Sequence, residues 1–96
     1  RIPFLDEVEA LAAAGVVPGG TFNNLDHVKK HVNFGTLGRT TQLMLCDAQT
    51  SGGLLIALPA DAAEACVSAM LEIGVTDAVI VGTCTGEGEG TISIIE

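Results

Sequence analysis

Ninety-six residues with twelve acidic and four basic side chains carry a formal net charge of −8, which repels a phosphate backbone, and three Phe with neither Trp nor Tyr leave little to stack on bases. Nucleic acid is therefore not an expected partner. The 48% apolar content suffices for one small core, while no apolar run approaches the roughly 20 residues that span a bilayer, so no membrane partner is expected.

In chain order, Phe4 to Ala14 places Leu5, Val8, Leu11 and Ala12 at helical spacing, with Asp6, Glu7 and Glu9 near the positive end of the helix dipole and Gly15 as the stop. Pro18-Gly19-Gly20 reads as a turn, after which Asn24 is placed to cap a second helix carrying Leu25, Val28 and Val32 on one face and basic residues on the other. Gly35 and Gly38 bracket a loop, and the apolar Leu43 to Cys46 leads into a polar stretch, Asp47 to Gly53. Leu54 to Leu58 is an unbroken apolar run that fits a strand buried on both faces. Pro59 to Ile73 reads as a helix with Ala63, Cys66, Val67, Met70 and Leu71 on one face and Gly74 at its end. Ala78 to Val81 reads as another buried strand, and strand, helix and strand of this length imply a right-handed parallel crossover. Thr83 to Thr91, rich in glycine and acid, is expected to return the chain as a hairpin into Ile92 to Ile95. The expected fold is α/β, a mixed sheet with a β-α-β-β module and packed helices, without an internal repeat or domain boundary.

The opening Arg1-Ile2-Pro3-Phe4 has neither an initiator Met nor a signal pattern and reads as part of a longer polypeptide. Cys46, Cys66 and Cys84 are odd in number, widely spaced and set among apolar residues. That usage fits free thiols in a reducing compartment, and a cytoplasmic location is expected.

Chemistry concentrates in Asp47-Ala48-Gln49-Thr50-Ser51-Gly52-Gly53. Paired glycines let a backbone bend with its N–H groups outward, as anion-binding nests require. No Lys follows the glycines, so the phosphate cradle of a Walker motif is absent. A hard cation such as Mg²⁺ is an alternative counter-charge, being commonly held by one or two carboxylates plus substrate phosphates. From the residues alone Asp47 is either a metal ligand or a turn aspartate bonding a nearby N–H. Likewise Thr50, Ser51, Gly52 and Gly53 either contact a ligand or shape a tight turn.

Other groupings favour plainer readings. His27 and His31 have the spacing of a metal pair on one helix face, but Lys29 and Lys30 lie between them and no further His or Cys completes a tetrahedral site, so a solvated basic face is preferred. Lys29, Lys30 and Arg39 are surface bases that precede the polar stretch and are candidates to flank a phosphate-bearing cleft. Gly82, Gly86, Gly88 and Gly90 miss the nucleotide-loop spacing, and Glu87 and Glu89 would repel phosphate. Cys46 has apolar neighbours, which raise a thiol pKa, and reads as core rather than nucleophile; no catalytic residue is assigned within the chain.

The string Asp47-Ala48-Gln49-Thr50-Ser51-Gly52-Gly53-Leu54-Leu55, preceded by Val17-Pro18-Gly19-Gly20-Thr21 and Asn24, resembles the C-terminal domain of selenophosphate synthetase, also called selenide, water dikinase, in the aminoimidazole ribonucleotide synthetase superfamily. The likeness runs in register through nearly the whole chain and implies the last third of such an enzyme. One departure is Phe22-Asn23, where relatives often carry a basic residue. The resemblance implies an enzyme that makes selenophosphate from selenide, ATP and water with Mg²⁺. Its nucleophile, catalytic Lys and most ATP contacts are expected on an N-terminal ATP-binding domain, the partner of this one, in a homodimeric full-length protein. It further implies that Asp47 is a Mg²⁺ ligand, that this domain closes the nucleotide cleft, and that the fragment alone is inactive. The alternatives are another superfamily member, resembling aminoimidazole ribonucleotide synthetase or thiamine-monophosphate kinase, and a non-catalytic binding domain.

Overall fold

A computed structural model describes residues 2–95. They group into two compact units, one formed by residues 5–52 and 87–95 and the other by residues 2–4 and 53–86. The regular elements are short, and the class is α/β, with four helices and a two-stranded parallel sheet among the described residues.

The larger unit holds α1 (Val8–Ala13), α2 (Gly19–Val28), β1 (Val32–Asn33), α3 (Arg39–Leu45) and a closing strand near the end of the chain. Helix α1 ends where glycine permits. Gly15 sits at φ +82°, and the N–H groups of Gly15 and Val16 donate to the carbonyls of Ala12 and Leu11, the paired bonds of a Schellman stop. Helix α3 packs against both α1 and α2, and the buried residues are Thr21 and Leu25 of α2 and Leu43 of α3.

Two expectations in this unit, the Asn24 cap and the helical Val32, are corrected. Helix α2 begins at Gly19, with Pro18 as its N-cap, six residues before the cap expected at Asn24. Pro18 presets its own φ, its carbonyl receives the Thr21 N–H at 3.0 Å, and the Asn24 side chain is engaged in a tertiary bond described below. Val32 leaves the helix: α2 ends at Val28, and Val32–Asn33 form β1. Leu43 belongs to a helix, since α3 runs through Leu45 behind an N-cap at Gly38.

The second strand, β2 (Ile92–Ser93), lies parallel to β1 with Val32 opposite Ile92 and Asn33 opposite Ser93. Ile92 N–H donates to the His31 carbonyl and Ile94 N–H to the Asn33 carbonyl, each at 2.9 Å. The expected hairpin into residues 92–95 is thus replaced by a parallel pairing with a strand some sixty residues earlier. Beyond β1 the chain turns at Gly35, φ +57°, whose N–H is held by Asn33 Oδ1 at 3.0 Å.

The smaller unit contains one helix, α4 (Ala60–Glu72), capped by Pro59 as the sequence suggests. It ends in the same way as α1, with Gly74 at φ +93° and with Gly74 and Val75 N–H groups donating to Leu71 and Met70. Ala63, Cys66, Val67 and Met70 are half-buried, as their spacing predicts, whereas Leu71 is exposed. The β-α-β-β module is not formed, and neither is a mixed sheet: residues 54–58 and 78–81 flank α4 as irregular backbone rather than strands. An apolar run becomes a strand only when a partner takes its ladder hydrogen bonds. Leu54 and Leu55, 90% and 85% exposed, meet none.

Candidate functional site

The site is assembled by the end of α3 coming to rest on the first turn of α2. Cys46 caps α3, its N–H donating to Leu43 at 3.1 Å, and Asp47 follows with its N–H directed at the Met44 carbonyl. The helix thereby delivers the Asp47 carboxylate beside Thr21, 26 residues earlier in the chain. Thr21 is fully buried. Its hydroxyl donates to Asp47 Oδ1 at 3.3 Å and accepts the Ala48 N–H at 3.1 Å, so one donor and one lone pair are both used. The first bond is long for a hydroxyl donor and steers the carboxylate more than it clamps it.

A second strut lies one helical turn along α2. Asn24 Nδ2 donates to the Cys46 carbonyl at 3.0 Å, which satisfies one of the carbonyls that the last turn of α3 leaves unpaired. Backbone approach is close and favours glycine: a Cβ on Gly20 would stand 3.0 Å from the Ala48 Cβ. Val17-Pro18-Gly19-Gly20-Thr21, Asn24 and Asp47, widely separated in sequence, therefore form one constellation. Asp47 itself is exposed. It lies on the rim of a groove of about 280 Å³ whose walls are otherwise apolar, including Val8, Leu11, Val17, Leu43 and Met44.

The remaining candidates scatter. Thr50, Ser51, Gly52 and Gly53 are exposed and irregular, and a Cβ on Gly52 would stand 3.1 Å from Gln49 Oε1. His27 lies in the last turn of α2 while His31 lies past its end, so the two do not share a helix face. Lys29 is engaged with Asp26 at 2.8 Å, a bond that holds the Asp26 carboxyl below its ordinary range. Lys30 and His31 line an open groove with Asn33, Thr91 and Ser93 beside the strand pair. Arg39 begins α3. Burial pushes the Cys46 thiol up, against a smaller opposing pull from Arg39, the direction its apolar neighbours imply.

Among the described residues no three His, Cys, Asp or Glu side chains gather as a metal cage. Asp47 offers one exposed carboxylate on a fixed backbone. That donor suits a hard cation completed by phosphate oxygens and water, and does not suit a self-sufficient tetrahedral centre. Sequence reasoning gave Thr21 no role and misplaced Asn24. The signal for Thr21 was its adjacency to Gly19-Gly20, which marks a close backbone approach.

The chain is similar to curated proteins named selenide, water dikinase. It is 51% identical over 83 residues to selenide, water dikinase of Myxococcus xanthus, covering 85% of the chain and 23% of that protein. Identity is 34% over 96 residues with selenide, water dikinase of Clostridioides difficile, covering 99% of the chain and 28% of the relative, and 39% over 87 residues with that of Pelobacter propionicus, covering 90% and 25%. No family model matches the chain, and no solved structure does. The class these relatives define is a kinase-type enzyme. The particular family is that of the selenide, water dikinases, or selenophosphate synthetases, of which this chain carries a segment. The chain spans about a quarter of the length of the curated relatives it matches, rather less than the last third expected. No helix among the described residues is long and apolar enough to cross a membrane.

Proposed function

We propose that this chain is the C-terminal domain of a selenophosphate synthetase, an enzyme that makes selenophosphate from selenide, ATP and water. In this reading it closes the nucleotide cleft of an N-terminal ATP-binding domain in a homodimeric, cytoplasmic protein. Asp47 presents a carboxylate to Mg²⁺ held with the ATP phosphates, and Thr50, Ser51, Gly52 and Gly53 shape the loop that follows. When bound, Mg²⁺ would supply positive charge against the phosphate oxygens during transfer. The observation that carries the reading is the exposed carboxylate of Asp47 on a backbone fixed from two sides, by Thr21 and by Asn24. A cap or turn aspartate spends its carboxylate on nearby N–H groups. Here the adjacent N–H of Ala48 goes to Thr21, which leaves Asp47 available to a ligand.

The test is Asp47→Asn in the full-length enzyme, which keeps size and removes charge. Turnover is expected to fall on the order of 100-fold, with stability changed by less than about 1 kcal/mol, and excess Mg²⁺ should recover activity only in part. Near-wild-type turnover together with a lowered melting point would make Asp47 a turn residue.

A further inference from the structure

We propose that Thr21 is the positioning residue for the Asp47 carboxylate, setting through one buried hydroxyl both the carboxylate's orientation and the path of the backbone that carries it. The inference rests on the reading of Asp47 as a Mg²⁺ ligand. Thr21 itself is 0% exposed and reaches no solvent-borne ligand, so it acts through Asp47. Its hydroxyl touches both the carboxylate and the following peptide: Oγ1 lies 3.3 Å from Asp47 Oδ1 and 3.1 Å from Ala48 N. Accepting from the Ala48 N–H leaves the hydroxyl proton free to be aimed at Oδ1, so one rotamer satisfies both bonds. Thr on a helix has restricted χ1 freedom, which makes it a stiffer strut than Ser. Groups that hydrogen-bond a ligating carboxylate orient it and tune its affinity, and their loss costs about 10- to 100-fold in metal binding.

Glycine at position 20 belongs to the same device. With the Gly20 Cβ position 3.0 Å from Ala48 Cβ, a side chain there would hold the Asp47–Ala48 backbone away from the hydroxyl. The helix–loop contact and the hydrogen bonds are therefore coupled.

The experiment measures Mn²⁺ binding by electron paramagnetic resonance, in the presence of a non-hydrolysable ATP analogue, on the full-length enzyme and its variants. Thr21→Val removes the hydroxyl at nearly constant shape and is expected to weaken Mn²⁺ binding about 10-fold. Thr21→Ser retains the hydroxyl and should bind within about threefold of wild type. In an Asp47→Asn background, Thr21→Val should bring no further loss, because its effect runs through that carboxylate. Wild-type Mn²⁺ affinity in Thr21→Val, whatever its melting point, would overturn the positioning role while a weakened Asp47→Asn kept the metal reading intact. Wild-type affinity in Asp47→Asn as well would overturn both. Should Thr21→Val not fold, Thr21→Ser decides: a loss beyond about threefold, despite the retained hydroxyl, counts against the proposal.

Discussion

At the scale of single residues the chain distributes polar groups according to who can satisfy them. Thr21 is buried because its hydroxyl meets Asp47 and Ala48; an unpartnered hydroxyl in its place would cost about 1–3 kcal/mol. Cys46, between Leu45 and Asp47, illustrates the converse. Burial favours its neutral thiol, and Arg39 offsets only part of that effect. A folded-state pKa raised above the unfolded one means that the folded protein holds its proton longer. The associated stability is complete below the ordinary thiol range and is lost as pH rises through the folded value. The expected chemical consequence is slow alkylation. With iodoacetamide at about pH 8.5, exposed Cys84 should be labelled well before half-buried Cys46, as followed by peptide mass spectrometry. Equal or faster labelling of Cys46 would show that its thiol is neither shielded nor raised.

At the scale of elements, what was legible in the sequence is what depends on local chemistry. The two Schellman stops were visible in Gly15 and Gly74, because a left-handed residue after a helix selects glycine whatever the rest of the fold does. The half-buried face of α4 was visible in the spacing of Ala63, Cys66, Val67 and Met70. Features that depend on distant partners were not. Leu43 to Cys46 is too short an apolar run to distinguish strand from helix by periodicity, and it became the end of α3 because Leu43 is buried where α3 packs against α1 and α2. The two-residue strand β1 leaves no periodic signature, and its pairing with β2 is a contact across the chain. Of the candidate site, Asp47 stands out from its loop in the sequence, and the Val17-Pro18-Gly19-Gly20-Thr21 segment enters by family likeness. Its physical reason, the close approach of α2 to Ala48, needed the structure. That reason separates two neighbouring glycines. Gly19 has nothing within 4 Å of a built Cβ, whereas Gly20 has Ala48 at 3.0 Å. Gly19→Ala is therefore expected to be neutral or to stabilise by up to about 1 kcal/mol, and Gly20→Val to destabilise by about 1–3 kcal/mol through overpacking. Denaturant midpoints of the two variants check this, and equal responses would mean that the α2–loop contact is looser than 3.0 Å implies.

At the scale of the whole molecule, burial is uneven. Leu25 and Leu43 are the buried apolar residues among those described, and both lie in the unit of residues 5–52 and 87–95. In the other unit no described residue is fully buried, although it carries the most apolar segments of the chain, with Leu54, Leu55 and Ile73 each more than 80% exposed and Val79, Ile80 and Val81 nearly half exposed. Fully burying one such side chain is worth about 1.5–3 kcal/mol, so leaving these in water is a substantial standing cost. Exposed apolar area of this kind marks an interaction surface. In the proposed full-length enzyme the remaining three-quarters of the polypeptide is the expected cover. The 96-residue chain on its own should therefore bind an apolar dye such as anilinonaphthalene sulfonate strongly and self-associate in sedimentation velocity, while the intact enzyme binds little dye. Polar substitution of the exposed run, Leu54→Ser with Leu55→Ser, should reduce dye binding by the isolated chain and weaken its self-association. A strictly monomeric chain that binds no more dye than the intact enzyme would show that residues 54–58 and 79–81 close on themselves, and that no partner is needed to cover them.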